Sequence, residues 1–516
     1  MKNRLFLLFF LLAGVASVSA KTYIVAVSGT STGAGTTASP YDIATAVSKA
    51  VANDTIYIRG GQYMMTAQLS LSKGGSASGR INIWAYPGDA RPVLDFYNRG
   101  YSGTNSAAER GVSISKSYYD LRGLDITRAG DNGMHISGSY NRIENCRFYK
   151  NCDAGLQITG ATTSEGYNLI INCDAYLNFD FKSSGGAGGN ADGFACKLTV
   201  GPGNKFIGCR SWNNSDDAYD CYGSINDVYF KGCWAIANGV ASYDVTDYPG
   251  SMGITTVVNT GNGNGFKVGG NYAVGGAILI DCISTGHKIA SSSNKGFDQN
   301  NNVGRVFCFN CLSYNDGRGF SFPNNTDARG PHLFYNNIVL SANNSNSINA
   351  SSIQLTNTWN NITVATSDFI SLATDSAKSA RNADGSLTNM GGLFRLKSSS
   401  NLINKGTVIL VDTIGMPYVG SSPDLGPFEY NPATAIPVNK IKSENLVSCE
   451  VIGKNLLFVG LANAIHVYDL NGKQTYVMAS EARNAVISAD GWQKGIYVAS
   501  VTQKDGTITS EKIRID

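Results

Sequence analysis

Along the middle of the chain one short pattern of apolar and polar positions keeps returning. A small residue is followed by a large apolar one, a mostly polar one and a further buried-type one. It reads Gly133-Met134-His135-Ile136, Gly155-Leu156-Gln157-Ile158, Gly193-Phe194-Ala195-Cys196, Ala218-Tyr219-Asp220-Cys221, Gly265-Phe266-Lys267-Val268, Gly296-Phe297-Asp298-Gln299 and Gly319-Phe320-Ser321-Phe322. Alternation over so few residues predicts short strands with one face inward. The small residues lie 22, 38, 25, 47, 31 and 23 positions apart, so the shortest intervals set the period and the longer ones hold insertions. A second pattern alternates with the first. Cys146, Cys173, Cys209, Cys233, Cys282 and Cys311 each close a strand-like run, and Asn151, Asn178, Asn214 and Asn238 each follow such a Cys by five residues.

Self-similarity at this period means stacked supersecondary units. Short strands broken by Gly and Asn, with no helical segments between them, predict an all-β parallel β-helix. Met134, Leu156, Phe194, Tyr219, Phe266, Phe297 and Phe320 then form an inward ladder. A β-sandwich would not repeat the same residue types in one register. Six cysteines in one register read as an inward stack of small apolar groups and not as disulfides. Asp42–Val51 reads as a short amphipathic cap on the first coil. The repeat loosens after Phe322 and runs to about Asn431, and Pro432–Pro437 marks a linker. Residues 438–516 alternate strongly, with turn signals at Asn471-Gly472, Asp490-Gly491 and Asp505-Gly506. These predict a small antiparallel, sandwich-like β domain.

Composition sharpens this only in places. The 516 residues hold 59 Gly and 15% charged residues, which suits a turn-rich β protein and excludes intrinsic disorder. The formal net charge is +3, and Lys2 and Arg4 carry two of those charges, so a bulk-charge affinity for nucleic acid is not expected. Residues 1–20 read as a secretory leader: Lys2 and Arg4, the apolar run Leu5–Leu12, then Val18-Ser19-Ala20 before Lys21. That run is too short to span a bilayer, and no later segment reaches about 18 uninterrupted apolar residues. The expected product is secreted or displayed at the cell surface, without a membrane span. A capped solenoid is expected to be a monomer.

The register also places polar side chains. Asp192 and Asp217 each precede the small residue of neighbouring coils, and Asp216 adjoins Asp217. Asp220 and Lys267 are equivalent, two residues after the small residue, and point outward. Four carboxylates and one lysine therefore converge on one outer face. Such a cluster needs a proton or a cation, and a hard oxygen-liganded ion such as Ca²⁺ fits it better than Zn²⁺, since no histidine falls in it. Two long insertions, Lys182–Gly189 and Tyr243–Gly263, come just before Asp192 and Lys267 and predict walls around this face. Lys197, four after its small residue, is a competing base. Asp298 reads as a plain surface carboxylate. A cation beside an outward lysine on an exported β-helix suggests proton abstraction next to a uronate carboxylate, followed by β-elimination.

The segments Asn190-Ala191-Asp192-Gly193-Phe194-Ala195-Cys196-Lys197-Leu198, Asn214-Ser215-Asp216-Asp217-Ala218-Tyr219-Asp220, Asn264-Gly265-Phe266-Lys267-Val268-Gly269-Gly270 and Lys295-Gly296-Phe297-Asp298-Gln299-Asn300 resemble the family 9 polysaccharide lyases. These are right-handed parallel β-helix enzymes that include pectate and rhamnogalacturonan lyases. The resemblance covers roughly residues 22–430. It implies Ca²⁺ ligation by Asp192, Asp216, Asp217 and Asp220, a Brønsted base at Lys267, and substrate contacts among Lys197, Lys295 and Asn300. It further implies a pectic substrate, polygalacturonate first and rhamnogalacturonan I as the alternative. Ala218 departs mildly from the pattern, where Gly is common. The last 79 residues resemble the C-terminal sorting domain of the type IX secretion system, on Val467-Tyr468-Asp469-Leu470-Asn471-Gly472-Lys473 and Lys494-Gly495-Ile496-Tyr497-Val498. That implies the secretion machinery as a partner.

Two rivals come from other classes. A pectin hydrolase of this fold would pair carboxylates around a water, but its Gly-His-Gly and Arg-Ile-Lys segments are absent from the sequence. A non-catalytic adhesin with a structural cation has no need of Lys267.

Overall fold

The computed structural model describes residues 20–431 except 105, 161, 288–293 and 412–413. From 448 to 515 it describes all but 453–454, 463, 470–473, 479–481, 490–491 and 503–507. The leader (all but its last residue), the linker and the three C-terminal turn dipeptides lie outside the described residues.

The repeat folds as the alternation requires. Three parallel sheets of twelve, ten and ten strands run the length of the solenoid, each coil adding one strand to each sheet. The twelve-stranded sheet runs from Thr22–Val25 to Ile353–Leu355. One ten-stranded sheet runs from Gly61–Met64 to Ile338–Leu340, and the other, from Leu69–Leu71 to Ser347–Ile348, carries the small-residue pattern. In that last sheet Met134, Leu156, Phe194, Tyr219, Phe266, Phe297 and Phe320 pair in one unbroken register, each at most 1% exposed. The rings stack at 5.4 Å for Phe194 and Tyr219, 4.6 Å for Tyr219 and Phe266, and 5.0 Å for Phe266 and Phe297. Burial of one such ring stabilises by about 1.5–3 kcal/mol, and the stack repeats that gain on every coil.

The repeat's small residue has a steric cause. A Cβ on Gly193 would lie 2.0 Å from Ser211 Oγ, and one on Gly265 would lie 2.3 Å from the Gly296 carbonyl oxygen. The chain enters this sheet against a packed turn, and that turn is built by the asparagines. Asn151 Nδ2 donates to Asn178 Oδ1 at 2.9 Å, Asn178 to Asn214 at 2.7 Å and Asn214 to Asn238 at 2.9 Å. All four are fully buried, and each satisfies a backbone N–H of the preceding coil as well. His287 and Asp316 continue the column, with His287 Nε2 at 3.3 Å from Asn238 Nδ2. A second ladder, Asn141 to Asn168 to Asn204, closes another corner and was not anticipated from the sequence. The ten cysteines whose side chains are described are free and buried, and the Cys146-to-Cys311 column packs inside the core as small apolar groups.

The N-terminal cap is the helix Ile43–Lys49, with Asp42 Oδ1 accepting from Thr45 N at 2.7 Å. At the other end, the segment after Leu355 turns back over the outer face of the Gly61-to-Leu340 sheet. Phe369, Leu393, Phe394, Leu402 and Leu425 form a second core there with Trp234, Ile236, Ile283, Leu312 and Ile338. Buried Asp174 ties the two together, 2.7 Å from Arg210 and 2.8 Å from Arg381.

The C-terminal strands are antiparallel, in one sheet of three and one of four around Leu456, Ile465, Val467, Ile487, Tyr497 and Ile513. Ala464–Asp469 pairs with Gln474–Met478, and Gly495–Thr502 with Ile508–Ile515.

Candidate active site

Consecutive coils of the patterned sheet deliver the acidic groups. Ala195, Asp220, Lys267 and Asp298 pair in register on its outer face. Asp192, Asp216 and Asp217 come from the turns that enter it. One carboxylate oxygen each of Asp192, Asp216 and Asp217 lie within 4.8 Å of one another. Asp220 stands beside this triplet and not in it, its Oδ1 accepting from Tyr222 N at 2.9 Å. None of the four carboxylates is more than 3% exposed.

The surrounding backbone holds each group. Asp192 Oδ1 accepts from Asp217 N at 3.2 Å. Asp216 Oδ1 accepts from Asn262 N at 2.7 Å, and Asp217 Oδ1 from Asn264 N at 2.8 Å and Asn264 Nδ2 at 2.9 Å. Asn262 belongs to the second insertion, which forms the antiparallel pair Ser242–Asp244 and Thr256–Val258. Asn259 Nδ2 ties this insertion to the Ser215 carbonyl at 2.7 Å, and Thr260 N ties it to Ala187 of the first insertion at 2.8 Å. Both insertions thus wall the site, over a small core of Tyr101, Phe179, Phe181, Tyr243 and Tyr248.

Two lysines face the carboxylates. Lys267 Nζ lies 2.9 Å from Asp217 Oδ2 and 3.4 Å from Asp220 Oδ1. Lys197 Nζ lies 2.8 Å from Asp192 Oδ2 and 3.4 Å from Asp220 Oδ2. Lys197 stands on the coil of Asp192, and its side chain spans the step to Asp220 on the next. Burial by itself lowers the pKa of Lys267, but Asp217, Asp220, Asp216 and Asp192 outweigh it and hold the ammonium well above its ordinary range. Lys197 is raised in the same way, by Asp192 first among the charges. Asp192 and Asp216 are pushed up, chiefly by burial and then by the neighbouring carboxylates.

Four carboxylates against two ammonium groups leave two negative charges when all are ionised. Asp217 Oδ2 is buried and makes no hydrogen bond of good geometry, even to the nearby ammonium. An all-oxygen donor set whose carboxylates outnumber the ammonium groups beside them fits a hard divalent cation.

The remaining sequence candidates divide. Lys295 reaches the site's edge, with Nζ 3.0 Å from Asp298 Oδ2 and its side chain 30% exposed. Asn300 follows on the same coil, its Nδ2 donating to the Gly269 carbonyl at 3.3 Å. Asp298 is no plain surface carboxylate: it is 3% exposed, since the coil after Lys267 places it under the Lys295 ammonium. Two residues escaped the sequence reading. Asn264 precedes its small residue as Asp192 and Asp217 do, a register signal that was there to be used. Tyr222 shares the register position of Lys197, and the Lys267 ammonium sits 5.7 Å from its half-exposed ring.

Residues 23–344 match the family described as Pel9A-like, right-handed β-helix region. Pectate lyase L of Dickeya chrysanthemi is 35% identical over 419 residues, 80% of this chain and 91% of that one. Pectate lyase L of Dickeya dadantii (strain 3937) is 39% identical over 326 residues, 63% of this chain and 69% of that one. The crystal structure of pectate lyase Pel9A superimposes with a TM-score of 0.70 at 34% identity, covering 80% of this chain and 98% of that one. A rhamnogalacturonan lyase shares the fold, at a TM-score of 0.57 and 23% identity over 73% of this chain and 97% of that one. The chain belongs to the Pel9A-like right-handed β-helix family and is a polysaccharide lyase.

Proposed function

We propose that the protein is a secreted pectate lyase that cleaves polygalacturonate by β-elimination, with Lys267 as Brønsted base and Ca²⁺ held by Asp192, Asp216, Asp217 and Asp220. The observation that carries this reading is the contact of one buried lysine, Lys267, with Asp217 and Asp220 of a quartet of buried carboxylates. A bound Ca²⁺ supplies positive charge that offsets the carboxylates and draws electron density from a substrate uronate. Lys267 acts as a neutral amine. Its burial favours that form once the carboxylate charge is balanced. The amine takes the C5 proton, which lies α to the C6 carboxylate. The C5 electron pair forms the C4=C5 double bond, and the C4–O glycosidic bond breaks. The leaving oxygen takes a proton from solvent, the Lys267 ammonium returns one to solvent, and no water is consumed. Tyr222, beside the ammonium, presents an apolar ring against which a sugar face can rest.

The test is ultraviolet absorbance of the unsaturated uronide, on polygalacturonate and rhamnogalacturonan I, with Ca²⁺ and with chelator. Absorbance that rises on polygalacturonate only with Ca²⁺ is expected. New reducing ends without that absorbance would mean hydrolysis and would overturn the reading. A faster rise on rhamnogalacturonan I would move the substrate and leave the chemistry in place.

A further inference from the structure

The position just before the repeat's small residue forms a column across the site sheet. In chain order it reads Arg110, Asn132, Ala154, Asp192, Asp217, Asn264, Lys295, Arg318. Its centre is acidic and its C-terminal end is basic. Lys295 pairs in register with Arg318, and their strands are the first and second beyond that of Lys267. At about 4.8 Å per strand, they sit about 5 and 10 Å further along the solenoid axis. Those steps are comparable to the advance of a pyranose chain laid parallel to the axis.

The two cations are in different electrostatic states. Lys197, Lys267 and Lys295 each face a carboxylate of the protein. Arg318 faces none among the described residues, and its Nε is buried without a hydrogen-bond partner. Asp316, the acid nearest in sequence, is spent on His287 at 2.9 Å and Ser313 at 2.7 Å. A half-buried guanidinium without a counter-charge is costly unless a ligand supplies one. Its planar fork matches a carboxylate in two-point contact.

We propose that Arg318, with Lys295 beside it, binds the carboxylate of a galacturonate unit on the C-terminal side of the cleaved bond, so that the polymer lies along the solenoid axis. This rests on the pectate lyase reading and adds a positioning residue two coils from the base. The ligand class is a non-esterified uronate.

Steady-state kinetics of the full chain on polygalacturonate with Ca²⁺ tests it. Arg318→Gln is expected to raise KM about tenfold, with a much smaller change in kcat. Arg318→Lys, which keeps the charge and loses the fork, is expected to raise KM about threefold. KM unchanged in Arg318→Gln, or a fall in kcat at constant KM, overturns the subsite while the lyase reading stands. If Arg318→Gln does not fold, an unchanged KM in Arg318→Lys overturns it equally. If the wild-type protein forms no unsaturated product, the lyase reading fails separately. Direct binding of polygalacturonate to wild type and Arg318→Gln then decides, and equal affinities overturn the subsite.

Discussion

At the residue scale the proposed mechanism turns on competition between an ammonium and a cation for the same carboxylates. Lys267 and the proposed cation both answer the charge on Asp217 and Asp220, so one ammonium holds its proton for as long as it is the main counter-ion. Lys267→Ala is expected to lower kcat at least about 10³-fold, the scale of a lost general base. Ca²⁺ affinity by calorimetry should be kept or raised, because a competing ammonium is gone. Lys197→Ala separates the two lysines. It removes a partner of Asp192 and Asp220 but not the proposed base, so kcat should fall less than about tenfold. A larger loss in Lys197→Ala than in Lys267→Ala would exchange their roles.

At the element scale a coil is only as sound as its corner. Asn178 is fully buried and makes four contacts. Its Oδ1 accepts from Asn151 N and Nδ2, and its Nδ2 donates to Asn214 Oδ1 and the Phe148 carbonyl. Asn178→Ala strands polar groups on two neighbouring coils and should cost about 3 kcal/mol in denaturant unfolding. Phe266→Ala opens a cavity in the ladder directly beneath Lys267, and a cost of about 3–5 kcal/mol is expected. Its effect on kcat should exceed that of an equally destabilising change elsewhere in the ladder, because the proposed base stands on the same two-residue strand.

At the scale of the whole molecule, the site is a charge defect that the solenoid carries for function. The folded-state pKa values of Asp192 and Asp216 lie above their ordinary range. Without a cation, the stability tied to them is therefore present below about pH 4 and is lost as pH rises through the raised values. A bound divalent cation removes the need for those protons. Thermal unfolding from pH 4 to 8 should show the chelated protein losing stability with rising pH while the Ca²⁺-loaded protein holds. The gap in Tm is expected to reach about 5 °C or more at neutral pH. A gap independent of pH would mean that the cation does not engage these carboxylates.

Much of this is legible in the sequence. Period and residue type determined the parallel coils, the inward aromatic ladder, the thiol column and the shared face of Asp192, Asp217, Asp220 and Lys267. In a solenoid, a position in the repeat is also a position in space. What the sequence could not determine lies where the register ends. Lys197 reaches the cluster through a flexible stem that crosses the coil step. Asp298 is buried because a neighbouring lysine covers it. The backbone that caps Asp216 comes from an insertion with no repeat to place it. The irregular segment after Leu355 becomes a second core only by folding back on Trp234, Ile283 and Leu312. Repetition converts sequence spacing into distance, whereas side-chain reach and the path of insertions depend on contacts that only the folded chain brings together.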